Sequence, residues 1–263
     1  MKLTGSRVLL TGATGGLGRA IAETLADSGA ELVLSGRRAE VLESLADEIG
    51  GQVVAADLGS RSGLGELVAA AGRIDIVVAN AALPASGPLL DFDLERIDRC
   101  LEVNLRAPIA LARVFAPDMV ARGQGHFCFI SSLSGVAATA GTSIYSATKF
   151  GLRGFSHGLR QDLHGTGVGA SVILPGFIRD AGMFADSGAR LPRGMRTGTP
   201  DQVADAVCRS IVKDKAELVV APGELHAGAL VGSVAPGLAA WVTRHMGGNK
   251  VAEDIATGQR GKV

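Results

Sequence analysis

The sequence predicts an α/β fold: a single doubly wound domain built on a seven-stranded, mostly parallel sheet with helices on both faces. Three observations carry this expectation. Short apolar runs recur along the chain, helical patterns lie between them, and a glycine-rich turn follows the first run directly and opens the first helix.

The apolar runs are RVLL (7–10), ELVLS (31–35), QVVAA (52–56), DIVVAN (75–80), HFCFIS (126–131), GASVIL (169–174) and ELVVA (217–221). They are rich in Val, Ile and Leu and show little alternation, as expected of strands buried on both faces of a parallel sheet. Between them, 17–29 and 39–51 carry apolar residues at spacings of three and four, the first ending at Gly29. Longer helices fit 93–122, 143–164 and 200–214. Strands alternating with helices build a doubly wound sheet. No linker divides the chain, so 1–263 reads as one domain. The stretch 178–199 is rich in Gly, Arg and Pro without a period and reads as a substrate loop beside a site. Residues 222–263 read as a C-terminal extension.

Composition narrows the function. With 47% hydrophobic and 20% charged residues over 263 positions, the chain can bury a large core. Zero formal net charge and 4% aromatics exclude a general nucleic-acid binder, which needs a broad basic face or stacking platforms. Cys100, Cys128 and Cys208 are odd in number and far apart, and read as reduced thiols. The segment MKLTGSRVLLTG lacks the features of a secretory signal, so a cytoplasmic protein is expected. The uncharged segment 227–242 is shorter than the ~20 residues of a spanning helix and contains Pro236. It reads as a buried or partner-facing helix, or a lid, and no transmembrane segment is expected. The five histidines show no metal-ligand spacing, and no metal site is expected.

The first candidate site is the turn TGATGGLGRA. Its pattern is T-G-x-x-x-G-x-G through Thr11, Gly12, Gly16 and Gly18. A strand that ends in such a turn presents free helix N–H groups to a pyrophosphate, provided side chains are missing there. Thr14, Gly15 and Leu17 belong to the same cradle. The second strand ends Ser35-Gly36-Arg37-Arg38, with two guanidiniums and no carboxylate. A carboxylate there would bind the ribose 2′-hydroxyl of NAD, whereas Arg suits the 2′-phosphate of NADP. NADP(H) is favoured, with NAD(H) as the alternative.

The second candidate is chemical. Tyr145 and Lys149, at i and i+4, share one face of a helix. A nearby ammonium favours a phenolate and lowers its pKa from near 10. Ser131 and Ser132 follow the fifth strand, at the end of the sheet where such folds hold ligands. A competing motif, G-x-S-x-G at 154–158, centres on Ser156 inside the Tyr145 helix, where no strand or turn precedes it. It does not fit a nucleophile elbow, and its glycines read as close packing against a neighbouring subunit.

Taken together these motifs resemble the short-chain dehydrogenase/reductase family across roughly residues 5–215, with its Rossmann-type fold. The family's glycine motif matches Thr11–Gly18, its Asp after the third strand Asp57, its helical Asn Asn104, its Ser Ser132, its Y-x-x-x-K Tyr145 and Lys149, and its Pro-Gly Pro175-Gly176. The resemblance implies that Tyr145 exchanges the proton, that Lys149 lowers the Tyr pKa and binds the nicotinamide ribose, and that Ser132 hydrogen-bonds the substrate oxygen. It implies that Asn104 holds a relay water and that Asp57 and Leu58 flank the adenine. Asn80, Ala81 and Ile178 are implied as further cofactor contacts, and a homo-dimer or homo-tetramer as the assembly. Two positions depart from the family. N-N-A-G reads Ala79-Asn80-Ala81-Ala82, removing a bond from the first Asn, and Asp180 stands where Thr is common near the carboxamide.

The expected activity is hydride transfer between NADP(H) and a carbonyl or secondary alcohol. Met183, Phe184, Leu191 and Met195 in the loop, and Leu225, Leu230, Val231, Leu238, Trp241 and Met246 in the tail, suggest a small apolar substrate. The other reading of the tail is packing on the sheet edge or a neighbouring subunit. A 3-oxoacyl-carrier-protein reductase is the alternative enzyme, with Arg179, Arg190, Arg193 and Arg196 as a basic patch for an acidic carrier. A non-catalytic NADP(H)-sensing regulator is the alternative outside enzymes.

Overall fold

A computed structural model describes residues 1–189, 196–245 and 248–259, with side chains described outside 242–253. Leu191, Met195, Met246, Arg190 and Arg193 lie outside the described residues or side chains.

Seven parallel strands form one sheet: β1 (Arg7–Thr11), β2 (Glu31–Gly36), β3 (Gln52–Ala55), β4 (Ile76–Ala79), β5 (Gly125–Ile130), β6 (Val168–Pro175) and β7 (Glu217–Val220), in spatial order 3-2-1-4-5-6-7. All six pairings are parallel. The seven expected strands are therefore present, within a residue or two at their ends.

Successive side chains leave opposite faces of a strand, and two cores result. Leu9, Val77 and Phe127 join the core beneath α3 (Arg61–Ala71), α5 (Ala107–Arg122) and α6 (Ser143–Asp162). Val8, Leu10, Ile76 and Val78 join the other, beneath α1 (Gly16–Asp27), α2 (Ala39–Ile49) and α8 (Pro200–Val212). Because each strand feeds both cores, the runs are apolar throughout rather than alternating.

Three elements differ from the sequence reading. Helix α3 was not expected, because RSGLGELVAAA carries two glycines and a blurred apolar stripe. It is started by Ser60, whose hydroxyl accepts from Gly63 N at 3.0 Å. The single helix expected over 93–122 is α4 (Leu94–Leu101), a π-helical turn (Glu102–Arg106) and α5. The loop 178–199 contains a short helix, α7 (Gly182–Ser187). The tail forms α9 (Gly223–Val234), α10 (Pro236–His245) and α11 (Gly248–Gln259). Among the described residues no helix is long and apolar enough to cross a membrane.

Candidate active site

The chain order reverses between β1 and β4, and a crevice opens beyond the carboxyl ends of the strands at that point. The cleft there has a volume of ≈ 1890 Å³.

The first wall is the turn after β1. Gly12 holds φ +69, and a Cβ on it would sit 2.7 Å from Ala81 Cα. A Cβ on Gly18 would lie 2.1 Å from the Gly12 carbonyl oxygen. The turn therefore closes tightly only without side chains at these positions. Helix α1 begins with no side-chain cap and no acidic residue in its first turn, so its N–H groups face the cleft unclaimed. Asn80, just past β4, braces the turn: its Nδ2 donates to the Thr11 and Gly12 carbonyls, each at 3.1 Å. The Thr11 hydroxyl oxygen accepts from Asn80 N and Ala81 N, each at 3.1 Å. The Ala79 departure thus leaves this tie between β1 and β4 intact.

The second wall follows β2 and β3. Arg37 and Arg38 are exposed on the cleft rim, and Arg38 also donates to the Thr14 carbonyl. Asp57 and Leu58 line the same rim. Asp57 accepts from Gly59 N at 2.9 Å and pairs with Arg99 at 3.0 Å. Arg99 is a lining residue that the sequence reading missed. The pairing spans 42 residues, and no local pattern signals it.

The third wall holds Ser132, Tyr145 and Lys149. The Ser132 oxygen accepts from Ser134 N at 3.1 Å, and its hydroxyl bonds the Tyr145 phenol oxygen. The Lys149 ammonium donates to the Ile130 carbonyl at 2.9 Å and lies 5.5 Å from the Tyr145 ring centre. Ser131 donates to the Lys149 carbonyl at 2.9 Å, pinning α6 to the end of β5. A Cβ on Gly135 would lie 2.7 Å from that same carbonyl, so the two segments meet backbone to backbone. Burial pushes the Tyr145 phenol up to about 12, against a lowering hydrogen bond from Ser132. Burial also pushes the Lys149 ammonium down to about 8.

Pro175, Gly176 and Ile178 complete the lining. Asn104, expected to hold a relay water, is not at the cleft surface. It is fully buried in the π-helical turn, where its Oδ1 accepts from Leu83 N at 2.6 Å and its Nδ2 donates to Leu83 O at 2.9 Å. Both ends of its carboxamide are used, so it holds the Leu83 backbone, and Leu83 lines the cleft. Asp180 does not line the cleft: at φ +69 its side chain is exposed and paired with Arg179 at 3.2 Å. Ser156 is mid-helix and 1% exposed, which fits no nucleophile elbow.

Beyond Ser132 the cleft turns apolar. Phe177 and Phe184 pack with ring centres 4.9 Å apart, and Met183, Leu225, Val231 and Leu238 line the same end. Leu230 and Trp241 are exposed and lie off the lining. The tail is thus a wall of the cleft, and only part of its apolar surface faces inward.

A family model described as short chain dehydrogenase matches residues 6–191. The chain belongs to the short-chain dehydrogenase family. Among curated relatives, this short-chain dehydrogenase is 37% identical over 227 residues to the ketoacyl reductase HetN of Nostoc sp. strain PCC 7120, covering 83% of this chain and 79% of that one. Among solved structures it resembles a short-chain dehydrogenase from Sphingobium yanoikuyae in complex with NADPH, with TM-score 0.74 and 31% identity, covering 81% of this chain and 87% of the other. It also resembles a metagenomic short-chain oxidoreductase in complex with NADP, with TM-score 0.70 and 32% identity, covering 84% and 99%. The family places this short-chain dehydrogenase among the oxidoreductases.

Proposed function

We propose that this short-chain dehydrogenase transfers hydride between NADP(H) and an apolar carbonyl or secondary alcohol. The observation that carries the reading is that Ser132, Tyr145 and Lys149 share one cleft with the uncapped α1 N-terminus and with Arg37 and Arg38. The residues present suit the cofactor. The glycine turn and free N–H groups fit a pyrophosphate, and the two guanidiniums at the end of β2 fit a 2′-phosphate. NADPH and NADP bound to the two related structures support the same choice. The bound nicotinamide supplies the hydride.

The protein's part is orientation and proton supply. Ser132, its oxygen fixed by Ser134 N, donates to the substrate oxygen. Tyr145, held protonated by burial, is the general acid in the reducing direction. Lys149 holds the nicotinamide ribose and carries positive charge beside the phenol. Asn104 fixes Leu83 and so shapes the wall facing these groups. The wall formed by Phe177, Phe184, Leu225 and Val231 favours an apolar substrate. A cytoplasmic setting is supported by the three free thiols. A dimer or tetramer is supported by α6, where a Cβ on Gly154 or Gly158 would meet nothing within 4 Å and Phe150 is 42% exposed.

Carrier-linked 3-oxoacyl substrates are the second reading, favoured by the name of the Nostoc relative. Arg179 and Arg196 count against a free basic patch, since they pair with Asp180 and Glu224 at 3.2 Å each. The test is NADPH oxidation against a panel of apolar ketones and carrier-linked 3-oxoacyl thioesters, with Tyr145→Phe in parallel. Turnover of free ketones that falls about 10²–10⁴-fold in the variant is expected. Turnover of carrier-linked substrates alone would favour the second reading. NADPH binding with no turnover of either class would favour a non-catalytic sensor.

A further inference from the structure

Arg99 stands outside the machinery just described. It lies on α4, and its guanidinium reaches across to Asp57 after β3. Nη2 donates to Asp57 Oδ2 at 3.0 Å and to Oδ1 at 3.3 Å. Residue 59, a glycine, lies directly beneath the guanidinium: a Cβ there would lie 2.5 Å from Arg99 Nη1. Gly59 N–H grips the same carboxylate from the other side at 2.9 Å. Burial raises the Asp57 pKa, but the Gly59 and Arg99 bonds outweigh it and hold the carboxyl below its usual range, with the Arg37 charge assisting. Asp57 is therefore ionised and fixed in direction.

The charges on this rim matter together. Arg37, Arg38, Arg99 and Asp57 all line the cleft. A carboxylate beside a phosphate site opposes anion binding, and Arg99 cancels that carboxylate. The rim is then left with the full charge of Arg37 and Arg38, matching the charge of about −1.5 to −2 on a phosphate monoester at neutral pH.

We propose that Arg99 is a positioning residue for cofactor choice: it neutralises and orients Asp57, so that Asp57 can face the adenine without repelling the 2′-phosphate held by Arg37 and Arg38. The inference rests on the NADP(H) reading above.

The test compares dissociation constants of NADPH and NADH for the full-length protein, Arg99→Gln, Arg99→Lys, and the double variant Arg99→Gln with Asp57→Asn. The wild type is expected to favour NADPH. Arg99→Gln should lose about tenfold of that preference, as an uncompensated charge near the phosphate requires. NADH binding should change little, and the deficit should shrink at high salt. Arg99→Lys keeps the charge and should keep most of the preference. The double variant removes both charges and should restore it. A variant that weakens NADPH and NADH equally, or a double variant that recovers nothing, would make Arg99 a structural tie only and overturn the proposal. A wild type without preference for NADPH would instead overturn the cofactor reading itself.

Discussion

The Lys149 ammonium donates to the carbonyl oxygen of Ile130, the last residue of β5, across 2.9 Å. One bond thus ties the face of α6 that carries Tyr145 to the strand that delivers Ser132. It also holds a lysine that is 2% exposed, and burial lowers its pKa from 10.5 to about 8.

That lowering has a sign in stability. The unfolded chain holds the lysine proton up to about 10.5 and the folded chain only to about 8. Between these values the unfolded state binds more protons, so stability rises with pH through the window, and the cost is present in full below it. Replacing Lys149 by Met removes the cost. Lys149→Met is expected to unfold at higher urea at pH 7, by about 1–3 kcal/mol, with the advantage fading toward pH 10.5. Ketone turnover should be lost in the same variant. Equal or lower stability at pH 7 would contradict a costly buried charge.

His126 makes the complementary case at acid pH. It lies on β5, 2% exposed, with Nε2 2.7 Å from the Ser171 hydroxyl. Ser171 gives its own proton to the Lys215 carbonyl at 2.6 Å, so His126 donates from Nε2. Burial lowers its pKa from 6.5 to about 4, against the raising effect of Asp214. As pH falls through this window the unfolded chain takes up a proton that the folded chain refuses, and stability drops. Urea unfolding between pH 7 and pH 4 should show a loss of about 3 kcal/mol from this group. In His126→Gln, which can still donate to Ser171, the slope should flatten. An unchanged slope would remove His126 from the acid limb.

Asn104 should matter through Leu83. An Asn104→Leu variant leaves the Leu83 N–H and carbonyl buried and unpaired, at a cost of about 2–4 kcal/mol. A fall in Tm with a raised KM for ketones is expected, since Leu83 lines the cleft. Wild-type Tm and KM in that variant would mean that the two Leu83 bonds are dispensable.

Much of this was legible in the chain itself, for reasons tied to particular residues. The strands showed because a parallel sheet covered on both faces demands Val, Ile and Leu at consecutive positions, as in Ile76–Ala79. The glycine turn showed because Gly12 and Gly18 have no alternative residue: one needs a positive φ and the other has a carbonyl where a Cβ would be. Tyr145 and Lys149 showed because four residues is one helical turn. Helix α3 did not show, since its two glycines blur its stripe and its cap at Ser60 reads as an ordinary turn residue. The π-helical turn at Glu102–Arg106 did not show, since its register changes inside a sequence whose apolar spacing continues.

The sequence by itself determined the alternation of strand and helix, the glycine turn after β1 and the placing of Tyr145 and Lys149 on one helix face, because each depends on neighbours within one turn or one strand. Tertiary structure alone decided what Asn104, Asp57 and Asp180 do. Asn104 spends both ends of its amide on Leu83, Asp57 is claimed by Arg99 from a distant helix, and Asp180 turns out to solvent with Arg179. Hydrogen bonds and ion pairs of this kind join groups far apart in the chain, and only the packed sheet and helices bring the partners within reach.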